Sequence, residues 1–177
     1  MNFLLEQIIY FIINFILNPV RFFKRLNNIK ILPFGRDVSK IEIISGKIFK
    51  YYRSKDKYYK NLNYYHIMKK YDFVPKNLYI NEDNYLIVQE FKGNLLKVSD
   101  LSNNIIKNDL IRIFDKLEEN NIIVPDIYPL FFNKNVINNL TLMNNKIFLI
   151  DYGSILIVSS IECEIFYTRL KKYYNLI

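Results

Sequence analysis

Apolar and polar positions alternate in KIEIISGKIFKYY (Lys40–Tyr52), and β-branched residues dominate its first half. That pattern predicts an antiparallel hairpin turning at Ser45-Gly46. The spacing changes in KDKYYKNLNYYHIMKKY (Lys55–Tyr71), which reads as a helix. KNLYINEDNYLIVQEF then gives two further strands about an Asn-Glu-Asp-Asn turn, and GNLLKVSDLSNN reads as a loop. Ser102 or Asn103 caps the next helix, NIIKNDLIRIFDKLEENN. Its predicted apolar stripe is Ile105, Ile106, Leu110, Ile113, Phe114 and Leu117. After IIVPD comes a predicted loop, IYPLFFNKNVIN, and then a hairpin of NLTL and KIFLID about Met143–Asn145. A last helix, SSIECEIFYTRLKKYYNL, is predicted to turn Ile161, Ile165, Phe166 and Leu170 inward.

The stretch before these elements has a different pattern. Asn2 to Leu17 is almost wholly apolar, broken by Glu6, Gln7 and Asn14, and NPVRFFKR follows with Arg21, Lys24 and Arg25. A spanning helix needs roughly 20 apolar residues, and this run is shorter and carries a charge. Neither the basic start nor the small-residue end of a secretory signal is seen. The reading is an interfacial helix held at a membrane surface by Phe22, Phe23 and the basic cluster, the alternative being a helix packed on the protein's own core. The basic flank favours a cytoplasmic C-terminal part, peripheral at the inner face of the membrane.

Composition narrows the chemistry. In 177 residues, 51% are hydrophobic and 24% charged, which is a globular balance. Cys163 is the only cysteine and cannot form an internal disulfide, and His66 is the only histidine, which argues against a zinc site. The formal net charge of +8 suits an anionic partner, either a phosphorylated substrate or anionic lipid, or reflects the heavy use of lysine. No nucleic-acid-binding motif is present, and no nucleic acid is expected.

One short stretch carries the most specific signal. NNKIFLIDYGS brings a strand to its end at Asp151, followed by Gly153, in a chain that has only 4 glycines. A carboxylate at a strand end can reach a metal held by phosphate oxygens, and a glycine lets the backbone turn sharply after it. Together with the order hairpin, helix, hairpin, helix, loop, hairpin, Asp-Tyr-Gly, these residues resemble the protein-kinase-like superfamily. The nearest likeness is to small bacterial members such as lipopolysaccharide core heptose kinases and RIO-type kinases. The resemblance covers roughly Ile31 to Ser154.

The resemblance implies an α+β fold with a small antiparallel-sheet lobe and a truncated helical large lobe. It divides the chain into an N-terminal apolar helix (1–28), a small lobe (29–94) and a large lobe (95–177). It implies that Lys50 holds the α- and β-phosphates of ATP, and that Gly35 is what remains of a glycine-rich loop. The backbone from Gln89 through Glu90 to Phe91 would face adenine. Asp126 would take the acceptor's proton, and Asp151 and Asn139 would bind Mg2+.

The departures from the family pattern concern the same residues. No glutamate stands on the first helix to pair with Lys50; Tyr64 or Asn63 occupies that region. The segment from Asp126 to Asn139 is longer than the family spacing, so Asn133 or Asn135 are alternative ligands, and aligning back from Asn139 puts Lys134 at the catalytic position. The implied function is an ATP- and Mg-dependent phosphotransferase acting on a sugar or envelope glycolipid hydroxyl rather than on protein. The alternative is a catalytically inactive pseudokinase-like binding module at a membrane.

Overall fold

The computed structural model describes residues 37–127, 129–130 and 133–177. The predicted N-terminal helix and Gly35 lie outside the described residues. The described residues form one compact unit.

Strands β1 (Val38–Ile44) and β2 (Lys47–Tyr52) pair antiparallel, as their alternation dictates. Both turn residues between them have positive φ, 50° at Ser45 and 72° at Gly46, which is the primed turn whose twist matches a two-residue hairpin. Helix α1 (Lys55–Met68) starts at Ser54, whose hydroxyl accepts the Lys57 N–H. It stops three residues short of the predicted Tyr71. Strands β3 (Asn77–Asn81) and β4 (Leu86–Glu90) follow and join the first hairpin in one antiparallel sheet of order β1-β2-β4-β3.

The predicted loop after Gly93 holds a strand, β5 (Asn94–Lys97), and a 3-10 turn, Val98–Ser102. Asn103 then caps α2 (Asn104–Glu119) by accepting the Ile105 N–H at 2.9 Å, which decides between the two predicted caps. Ile106, Leu110, Ile113, Phe114 and Leu117 are buried along α2 and form the centre of the main core. Ile105 is 63% exposed. It sits one position, about 100° of helix rotation, from the buried row that starts at Ile106.

Short strand β6 (Ile122–Ile123) leads through the 3-10 turn Pro125–Ile127 to β7 (Pro129–Leu130) and a long β8 (Asn133–Met143). The predicted loop is therefore largely a hairpin, because β7 pairs with β8. Strand β8 also pairs with β5 and with β9 (Lys146–Leu149). The β8–β9 turn uses Asn144 and Asn145 at φ 53° and 60°, again a primed turn. Finally β10 (Leu156–Ile157) pairs with β6, and α3 (Ser160–Tyr173) closes the unit.

The buried face of α3 agrees with the expected one at Leu170 and at Phe166, which packs against the core, and differs at the two isoleucines. Cys163, Tyr167 and Leu170 are buried, whereas Ile161 is 67% exposed and Ile165 is 48% exposed. The isoleucines stand two residues from the buried row, which places them about 200° round the helix. Tyrosine decides the rotation: Tyr167 donates its hydroxyl to the Ile122 carbonyl at 2.9 Å, and Tyr174 donates to Ile127 at 2.8 Å. Those rings fill the core while their hydroxyls satisfy carbonyls that an isoleucine would leave unpaired. Lys171 adds ion pairs to Asp115 and Glu118 of α2. The architecture is mixed α+β, and among the described residues no helix is long and apolar enough to cross a membrane.

Gly93 and Gly46 both have positive φ, but their surroundings differ. A Cβ on Gly93 (φ 85°) would lie 2.1 Å from the Leu142 carbonyl oxygen on β8; around Gly46 nothing lies within 4 Å. Gly46→Ala should cost only the strain of the left-handed conformation, about 1–2 kcal/mol. Gly93→Ala should cost clearly more, because backbone must move, and urea unfolding of the two variants measures the difference. Equal losses would mean that the close approach of β5 and β8 is not a constraint.

Candidate functional site

The inner row of β2 is Ile48, Lys50 and Tyr52, all buried. A lysine in that row is unusual: at 6% exposure its ammonium has left water. The Nζ donates to the backbone carbonyl of Ile150 at 2.5 Å, across 100 residues of sequence. The Ile150 N–H in turn donates to the Asn139 carbonyl at 2.9 Å, so the accepting peptide is fixed to β8. Burial lowers the Lys50 pKa, and the neighbouring Asp151 charge works against that shift. The early lysine and the late aspartate therefore meet at one place.

Asp151 begins a tight turn. Its Oδ1 accepts the Gly153 N–H at 3.1 Å. A Cβ at Gly153 would sit 3.4 Å from Asp151 Oδ1, 3.7 Å from Asn61 Nδ2 and 3.7 Å from Asp37 Oδ2. Glycine thus leaves open a polar hollow where three elements converge. Asp37 is held there by Lys57 at 2.9 Å. Tyr52 faces the same hollow: burial raises its pKa strongly, and the charges of Asp151 and Asp37 push it the same way. The residue of α1 that approaches the turn is Asn61, which is buried, rather than Asn63 or Tyr64.

Between Asp151 and Gly153, Tyr152 turns inward and is 1% exposed. Its hydroxyl accepts from Gln89 Nε2 at 2.9 Å, and its ring stacks on Tyr65 at 6.2 Å. Burial raises its pKa, with Tyr65 and Asp151 contributing. Tyr152 thereby ties the Asp151 turn to β4 and α1.

Asp126 reaches the same region from the other side. Pairing of Leu156 with Ile123 and Ile157 with Ile122 runs the chain after Asp151 antiparallel to the chain before Asp126. Continued two residues further, that register sets Ser154 opposite Pro125, beside Asp126, and the Ser154 hydroxyl donates to Asp126 Oδ2 at 2.5 Å. Lys50, Asp151 and Asp126 are thus joined through the single segment Ile150–Ser154.

The other predicted residues are arranged differently. Asn139 sits on β8 at φ 60°, and its backbone carbonyl is the group that engages Ile150. Its neighbour Asn138 carries a buried side-chain Oδ1 with no hydrogen-bond partner, a hard oxygen acceptor left available. The sequence signal was the Asn-Asn pair itself: residues in a strand alternate faces, and the pair could be read in either phase. Asn135 is exposed. Glu90 lies on the opposite face of the sheet from Lys50, pairing across from Lys47 while Lys50 pairs across from Ile87. Its carboxylate takes the Lys76 N–H at 3.1 Å and the Lys92 ammonium at 3.1 Å. Burial would raise the Glu90 pKa, but those two partners outweigh it and hold it low. The backbone N–H groups of Glu90 and Phe91 go to the carbonyls of Lys76 and Gly46. They are satisfied inside the protein rather than free to face a base.

Among the described residues no three His, Cys, Asp or Glu side chains are arranged to hold a metal ion, so a cation here would rely on amide oxygens as well as carboxylates. An open depression of about 420 Å³ lies at α2 and α3, lined by Asp115, Glu118, Glu119, Ser160, Glu164 and Lys171. It includes none of the predicted site residues, and Lys171 already pairs with two of its carboxylates. Comparison with protein-family models and with curated proteins finds no match.

The lowered Lys50 pKa has a sign that can be measured. The unfolded chain binds that proton with the usual pKa of 10.5, and the folded chain binds it less tightly. Lys50 therefore opposes folding below its folded pKa, and the opposition is relieved as pH rises from there toward 10.5. Across that window the native chain should gain stability relative to Lys50→Met, with a constant difference at lower pH. Urea unfolding of both proteins over a pH series reads this, and a difference that stays flat throughout would show that the Lys50 proton is not linked to folding.

Proposed function

We propose that this chain is an ATP- and magnesium-dependent phosphotransferase of the protein-kinase-like kind, transferring phosphate to a hydroxyl of a sugar or envelope glycolipid. The observation that carries the reading is the Lys50 hydrogen bond to Ile150, which brings a buried cation to the peptide preceding Asp151. Further support comes from the element order, with its small antiparallel sheet, and from the β6–β10 pairing that delivers Asp126 to the same segment. The apolar N-terminal stretch is what favours a sugar or glycolipid acceptor over protein. That stretch also suggests work at the cytoplasmic face of a membrane.

The roles follow from the chemistry of each group. An ammonium has three donors, and one on Ile150 leaves two for phosphate oxygens. Burial strengthens the attraction of that cation for a polyanion. The Asp151 carboxylate and the unpaired Asn138 amide oxygen suit Mg2+, which takes hard oxygens from one or two protein groups and the rest from phosphate and water. When bound, that ion supplies charge neutralisation on the phosphates. Asp126 is exposed and already accepts a hydroxyl hydrogen, the task that an acceptor alcohol would set it.

ADP formation from Mg·ATP with sugar or glycolipid acceptors tests this. Asp126→Asn should lower the rate about 10²- to 10⁴-fold, the usual worth of a positioned base. Asp151→Asn and chelation of magnesium should remove it. ADP formation that is indifferent to both substitutions would reject the reading.

A further inference from the structure

The Asp126 carboxylate is not open to solvent on all sides. A hydroxyl of this same chain already stands on it, donated by Ser154 at 2.5 Å. Two features hold it there. On the N-terminal side Asp151 Oδ1 binds the Gly153 N–H, which fixes the turn. On the C-terminal side Ile155 N–H reaches the Tyr152 carbonyl at 3.3 Å, Val158 N–H reaches Asn121 at 3.1 Å, and β10 lies on β6. Ser154 is thus clamped between two anchored stretches with its oxygen on the one carboxylate placed to take an alcohol proton.

We propose that Ser154 is itself a phosphoryl acceptor of this site, so that the chain phosphorylates itself there. This rests on the phosphotransferase reading and names one substrate for it: an internal serine hydroxyl. In the step, Ser154 Oγ bonds to the γ-phosphorus of ATP as the bond from that phosphorus to the β-phosphate oxygen breaks. ADP leaves with the electron pair, and the hydroxyl proton passes to Asp126 and then to water. Lys50, on the carbonyl one residue before Asp151, is the cation at hand to face the phosphates. Because acceptor and base sit in one chain, the reaction is unimolecular in protein.

The test uses the full chain with Mg·ATP and no added acceptor, followed by peptide mass mapping and ADP measurement. The expected result is phosphate on Ser154, a fraction labelled per unit time that is independent of protein concentration, and labelling slowed about 10²-fold or more in Asp126→Asn. Ser154→Thr, which keeps a hydroxyl, should move the label to the new side chain, while Ser154→Ala should lose it. ADP that accumulates while residue 154 stays unmodified would overturn this inference and leave the phosphotransferase reading standing. Absence of both ADP and label would overturn the two together.

Discussion

Taking an ammonium out of water costs several kcal/mol unless hydrogen bonds and opposite charge replace the lost hydration. Lys50 meets that condition only in part, with one backbone oxygen and the field of Asp151, and its pKa stays lowered by burial. The consequence is mechanical as well as electrostatic. Strand β2 can bury its inner row only if the carbonyl of Ile150 is in reach, and that carbonyl is in place only because Ile150 is hydrogen-bonded to β8. A lysine from the first hairpin and the end of the last hairpin are therefore fixed to each other. The turn that follows, with Asp151 and Gly153, inherits its position from this contact. So does Ser154, and through it the approach to Asp126.

Tyrosine supplies the second layer of the same design. Tyr152 ties the turn to β4 through Gln89, Tyr65 accepts the Asn77 N–H at 3.1 Å, and Tyr167 and Tyr174 fasten α3 to the carbonyls of Ile122 and Ile127. Each ring contributes apolar area to the core, and each hydroxyl answers a polar group that the strand geometry would leave buried and unpaired. With 15 tyrosines and no tryptophan, the protein uses the one large side chain that can do both. Both ends of the Pro125–Ile127 turn are steadied this way, since Ile127 receives Tyr174 and the strand before it receives Tyr167.

Much of this was readable from periodicity. The first two hairpins, α1, α2 and the β8–β9 turn follow from alternation, helical spacing and primed-turn residues. What the pattern did not carry was direction. On α3 the isoleucines outranked tyrosine by hydropathy, yet hydrogen bonding selected the tyrosine face. At Asn138-Asn139 the strand phase was undetermined, because Asn139 takes a left-handed backbone that resets the alternation. Asn61 and Ser154 were invisible for a different reason. Their relevance comes from contacts across 92 and 28 residues, to Gly153 and Asp126 respectively, and no local signal encodes such contacts. The stretch from Leu86 to Glu90 was legible as a strand, but not the internal partners that take up the Glu90 and Phe91 N–H groups.

Among the described residues, seven other than glycine have positive φ, and Asn121, Asn139, Asn144, Asn145 and Asn175 account for five of them. Asparagine tolerates that region better than other side chains, and the protein has only 4 glycines to spend on it. The abundance of asparagine, which looks like mere compositional drift, is thus doing the work of joints. Each such joint still presents an amide, so the corners of this molecule are stiffer than glycine corners would be and carry extra hydrogen-bonding capacity at every bend. Sequence drift at these corners is consequently channelled toward a very short list of tolerated replacements.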